Sequence, residues 1–159
     1  MITVDSKDLL ADLQKFYLEA VRKMENMVRG FAYEISLTAI QNTPLGDSIT
    51  YQKLYQRRRY LPQEEGVARG GWEVSLDGSL DFQVISGRDS GNVAASAAKI
   101  HLMNYKLGEV VLIGNSGPYI MDLEDNYSDQ TAGMGIMQPT VDSILAVHQA
   151  QLLRYYKQG

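Results

Sequence analysis

Residues 7–42, KDLLADLQKFYLEAVRKMENMVRGFAYEISLTAIQN, decide the fold. Leu9, Leu13, Phe16, Ala20, Met24, Met27, Phe31 and Ile35 recur at spacings of three or four, the period of one helix face. Asp5 or Ser6 can cap the start, and Pro44 disfavours the α region at Thr43, so the spacing predicts one helix over about 7–42. Such a helix is about 54 Å long. A compact domain of this mass has a radius of gyration of roughly 15 Å. Either the helix kinks at Gly30, or part of its apolar stripe meets another chain. The second is the expectation carried forward.

Working outward from that helix, residues 45–68 show no clean period. With Pro44 just before them, they hold Pro62, two glycines and the run KLYQRRRY, and read as a long loop or arm. Trp72, Val74 and Leu76 then alternate with polar residues, as do Leu80, Phe82 and Val84. Asp77-Gly78 between them is a two-residue turn signal, so a hairpin is expected. A second helix is expected over about 91–106, ended by Gly108, followed by an apolar strand from Glu109 to Ile113. Gly117-Pro118 opens a short helix through Asp125. Glycines 133 and 135 mark a bend, and a last helix runs from about Pro139 to Tyr156. The fold class is therefore α+β: a long N-terminal helix packed on a small antiparallel sheet with further helices. One domain is expected over 1–159, with the arm at 45–68.

Composition removes several function classes. The 159 residues include no cysteine, which excludes a disulfide framework, a thiolate zinc site and a cysteine nucleophile. A net charge of −4 suits a free-standing duplex-binding protein poorly. No apolar run has the length of a transmembrane helix, and MITVDSKDLL lacks the regions of a signal peptide, so an intracellular protein is expected. The charge is unevenly distributed. Lys53, Arg57, Arg58 and Arg59 fall together without an acid between them. No Lys or Arg occurs between Lys106 and Arg154, where Glu109, Asp122, Glu124, Asp125, Asp129 and Asp142 all lie. Opposed charge within one chain suits head-to-tail self-association; both segments can equally be solvated surface.

Catalytic patterns mostly fail, although a Ser-His-Asp site is defined by geometry and composition does not refute it. His101 and His148 form no H-E-x-x-H pair, and each reads as a partly exposed structural histidine. Gly114-Asn115-Ser116-Gly117 lacks the spacing of a nucleophile elbow, and no phosphate-binding glycine loop occurs. Read as a calcium loop from Asp122, the acidic run places Tyr127 where a sharp turn needs glycine. It also places Gly133 where a bidentate glutamate is required. No enzyme, cofactor or metal is expected. The cations near Tyr51, Tyr55 and Tyr60 could contact phosphates and bases, so a small nucleic-acid-binding module using arm residues 53–59 is the alternative reading.

The segment VVLIGNSGPYIMDLEDNYSDQTAGMGIMQPTVDSI (110–144) resembles the signature of the small neck proteins of tailed bacteriophages, the head–tail connector or tail-completion proteins. Asn115, Pro118-Tyr119, Leu123-Glu124, Tyr127-Ser128 and Gly133-Met134 take the places of that pattern. Thr43-Pro44 and Arg69-Gly70-Gly71-Trp72 resemble a further passage of the same family. Two departures are visible. Asn126 stands where the family has glycine, a mild change because asparagine tolerates the left-handed region, and residues 45–68 form a longer insertion.

The resemblance implies a structural subunit that forms a ring of six or twelve copies at the portal–tail junction of a virion assembled in the host cytoplasm. The genome passes through that ring. Its partners would be further copies of itself, portal or adaptor and tail proteins, and genomic DNA, with no membrane, cofactor or catalysis. Lys53, Arg57, Arg58 and Arg59 are then candidates for inter-subunit contacts or for the DNA-facing surface. Asp122, Glu124, Asp125 and Asp129 are the candidate complementary acidic face.

Overall fold

The computed structural model describes residues 6–45, 66–81, 85–117, 120–124 and 135–158. The order of elements is helix α1 (Ser6–Asn42), helix α2 (Val67–Gly70), strand β1 (Trp72–Ser75), helix α3 (Ser90–Met103), strand β2 (Leu112–Asn115), helix α4 (Ile120–Glu124) and helix α5 (Met137–Gln158). The α+β class expected from the sequence is the one observed, with one two-stranded antiparallel sheet among the described residues.

Helix α1 runs unbroken through Gly30 and ends at Asn42. Its C-terminal half builds the core. Ala32, Ser36, Ala39 and Ile40 are buried, and α3 faces them with Ala94, Ala95, Ala98 and Leu102. Small residues dominate this contact, with Ile40 and Leu102 as its larger members. Trp72 and Val74 of β1 close the core from the sheet side, and Ile120, Leu123, Ile136 and Ile144 extend it into the C-terminal third. The N-terminal half of α1 leaves this core. Every residue from Lys7 to Glu19 is exposed.

Polar clamps hold α1 to its neighbours. The Arg29 guanidinium donates to the Tyr105 carbonyl at 2.6 Å and pairs with Glu25 at 3.3 Å, while the Glu25 carboxylate accepts from the Leu107 amide at 3.2 Å. Those contacts tie the chain leaving α3 to the middle of α1. Helix α5 returns antiparallel to the end of α1. Asn42 Nδ2 donates to Thr140 Oγ1 at 3.0 Å, and His148 Nε2 lies 3.0 Å from Glu34 Oε2 with its ring edge-on to Phe31.

The structure corrects the expected hairpin. Asp77-Gly78 does form a turn: Gly78 has φ +84°, and the Gly78 amide donates to Ser75 Oγ at 3.1 Å. Residues 79–81 leave that turn without regular structure, and 82–84 lie outside the described residues. Among the described residues the partner of β1 is β2, in the register Trp72↔Asn115, Glu73↔Gly114, Val74↔Ile113 and Ser75↔Leu112. Two boundaries also move. Helix α3 stops at Met103, before Gly108, whose φ of +101° serves the following turn. Strand β2 begins at Leu112, so Glu109 and Val110 precede it; the Glu109 carboxylate accepts from the Lys106 amide at 2.6 Å.

Candidate functional site

The functional question centres on the base of the basic arm. As α1 ends, Thr43 takes over its last turn: the Thr43 hydroxyl donates to the Ala39 carbonyl at 2.7 Å, and its amide does so at 3.0 Å. Pro44 follows and removes the next amide donor. Two distant side chains then converge on Thr43. Arg69 donates to the Thr43 carbonyl through Nε at 2.9 Å and through Nη2 at 2.7 Å. The Trp72 indole N–H donates to the Thr43 hydroxyl at 2.6 Å. Thr43 is wholly buried, so each of these bonds satisfies a group that water cannot reach.

The other end of the arm is tied at the same place. The Gly66 amide donates to the Leu45 carbonyl at 2.9 Å, and the Gly66 carbonyl accepts from the Ser90 hydroxyl at 2.7 Å. Gly66 has φ +83°, and a Cβ there would lie 2.2 Å from the Gly87 carbonyl oxygen, so only glycine fits. Leu45 and Gly66, the described residues on either side of 46–65, are therefore held together where α1 ends and α2 and α3 begin. The sequence pieces Thr43-Pro44 and Arg69-Gly70-Gly71-Trp72, which are 24 residues apart at their nearest, form one bonded unit in space.

The candidate cations Lys53, Arg57, Arg58 and Arg59 lie outside the described residues, and so do Asp125 and Asp129. Asp122 lies within α4, with its side chain outside the description. Glu124 is described, and within the fold it acts as a helix cap. Its carboxylate accepts from the Ile136 amide at 3.1 Å and from the Met137 amide at 3.1 Å. It thereby caps the N-terminus of α5, where unpaired amides and the helix dipole favour an anion. Gly135, at φ +69°, makes that approach possible, because a Cβ there would sit 2.6 Å from the Glu124 carboxylate.

Asn115 has a role that reading the sequence missed. Its Nδ2 donates to the Ala68 carbonyl at 2.7 Å, and its Oδ1 accepts from the Gly117 amide at 3.0 Å. It thus bolts the end of β2 to α2. The signal available was an asparagine closing a strand, where a short amide side chain can bond backbone on two sides. Thr43, Arg69, Trp72, Asn115 and Glu124 all belong to the resembling motifs, and each braces one element against another.

Among the described residues no group of three or more His, Asp or Glu could hold a metal, and no helix is long and apolar enough to cross a membrane. A groove of about 350 Å³ runs between β1 and α3, lined in part by Trp72, Val74, Ala94, Ala98 and His101. The chain matches no family model, no curated protein and no solved structure.

Proposed function

We propose that this chain is a structural ring subunit at the head–tail junction of a tailed bacteriophage, joining portal and tail around the DNA channel. The observation that carries the reading is the bonded unit of Thr43 with Arg69 and Trp72. The two N-terminal motif pieces that resemble the neck proteins meet there, on either side of the arm expected at 45–68. That arm carries Lys53, Arg57, Arg58 and Arg59. Leu45 and Gly66, on either side of residues 46–65, are hydrogen-bonded to each other, which supports a segment anchored for contact with a neighbour or the genome. The proposed mechanism is assembly itself, with no catalytic step, cofactor or metal. The acids of the C-terminal third supply opposite charge on the same chain, which suits head-to-tail contacts that close into a ring.

The test is simultaneous reversal of Arg57, Arg58 and Arg59 to Glu in the virion context. Filled heads and free tails that fail to join are expected, with the purified variant keeping its helical circular dichroism. Normal joining would overturn the arm's role. If joining is normal and the wild-type chain binds DNA with a steep salt dependence that needs these arginines, the nucleic-acid module is the better reading.

A further inference from the structure

We infer that the open apolar stripe of α1 is a two-fold seam, which receives the same stripe of a second copy running antiparallel, with the two Ala20 residues at its centre. The inference does not rest on the phage reading. Its starting point is an asymmetry around α1. The core-facing residues are Ala32, Ser36, Ala39 and Ile40. At 100° per residue, the stripe Leu9, Leu13, Phe16, Ala20, Met24, Met27, Phe31 lies about 140° round the helix from them. It is thus a second apolar face, not an overhang of the first. Phe16 is 71% exposed and Met27 73% exposed, although Met27 lies only five residues before the buried Ala32.

The order of residues along the stripe indicates what covers it. The spacings from Leu9 to Phe31 read four, three, four, four, three, four, the same in both directions about Ala20. An isologous contact requires that if residue i meets j, then j meets i. Antiparallel pairing about Ala20 sets an apolar residue opposite an apolar residue at each of these seven positions; Ile35, the next along the face, is half-buried and lies beyond them. Leu9 lies opposite Phe31, Leu13 opposite Met27 and Phe16 opposite Met24, and the one small residue meets its own copy at the middle. An unrelated partner places no such mirror constraint on the sequence. A parallel pair sets each residue against itself and is indifferent to the order.

Area agrees with this occupant. The six large stripe residues, each presenting on the order of 100 Å², give about 1,200 Å² across two chains, and Leu10 and Tyr17 beside them add to that. This reaches the range of stable interfaces. The seam ends at Phe31, where His148 of α5 covers one ring edge and leaves the residue 39% exposed. Such a seam closes at two copies, so a larger ring is built through other surfaces.

The absence of cysteine makes the test clean. Sedimentation equilibrium of the full chain is expected to give a species of twice 17.8 kDa, and Met27→Glu is expected to return it to the monomer with unchanged circular dichroism. Under mild oxidation Ala20→Cys is expected to form a disulfide dimer. Leu13→Cys alone is not, because its own copy is about 21 Å along the seam. Leu13→Cys mixed with Met27→Cys is expected to give the mixed dimer. These substitutions lie on the exposed part of α1, outside the core, so folding is retained. A monomer at high micromolar concentration, or a dimer indifferent to Met27→Glu, overturns the seam. Cross-linking of Leu13→Cys alone as readily as Ala20→Cys overturns the antiparallel arrangement.

Discussion

The Trp72 indole N–H donates to the Thr43 hydroxyl at 2.6 Å, joining the first residue after α1 to the first residue of β1 across 29 positions of sequence. The same hydroxyl donates onward to the Ala39 carbonyl, so donor and acceptor capacity are both used. A buried, fully satisfied bond of this kind matters less for the energy of forming it than for the cost of leaving either group alone.

Thr43→Val keeps the shape and removes the acceptor, stranding the Trp72 N–H in the core. The expected loss is about 1–3 kcal/mol of unfolding free energy, read by urea denaturation. Thr43→Ser retains the hydroxyl and should lose clearly less. Equal losses for the two variants would show that the methyl group, not the hydrogen bond, holds the junction.

Gly70 lies against the chain entering α3. A Cβ at this position would stand 2.4 Å from the Ile85 carbonyl oxygen and 2.9 Å from the Ser90 Cβ. Gly70→Ala should therefore destabilise the fold by about 1–3 kcal/mol, despite the better helix propensity of alanine. A gain in thermal midpoint would mean that this packing is looser than described.

Glu124→Ala leaves the Ile136 and Met137 amides without their acceptor. A loss of about 1–2 kcal/mol is expected, together with faster amide exchange in the first turn of α5. Protection that is unchanged at Ile136 and Met137 would remove the capping role.

Asp77 supplies the pH dependence. The Ser75 hydroxyl, then the Ser79 amide and hydroxyl, hold its carboxyl down to about 2 from its ordinary 3.8. An acid whose folded value is depressed contributes stability that is present above its unfolded value and lost as pH falls through the folded one. The Ser75–Ser79 turn should thus persist at pH 4 and loosen between pH 3.8 and about 2. A carboxyl titration of Asp77 followed by NMR checks this; a midpoint at 3.8 would contradict the hydrogen-bonded turn.

Helix α1 was legible because its apolar period runs through about seven turns, from Leu9 to Ile35, and Pro44 stops it. The expectation that its stripe was too long for one compact domain also follows from length alone, and Leu9 to Met27 do stand exposed. Strand β1 was legible as a strand, but its partner was not. Asp77-Gly78 supplied a strong local turn signal pointing to Leu80–Val84, while β2 lies 40 residues on and its last two positions, Gly114 and Asn115, are poor strand formers that hid them in the sequence. Glu124 was legible only as charge. Its bonds reach amides 12 and 13 residues away, and no local pattern marks a cap supplied from that distance. Thr43, Arg69 and Trp72 were legible as motif residues, yet their meeting in space depends on α2 folding back beneath the end of α1.

The central claim is self-assembly into a ring, and native mass spectrometry of the purified chain tests it most directly, at low and moderate salt and with negative-stain images of any large species. The account predicts the α1 dimer for the chain alone and, with portal protein added, closed rings of six or twelve copies that weaken when Arg57, Arg58 and Arg59 are reversed. No species larger than a dimer at any salt, even with portal protein added, would contradict it.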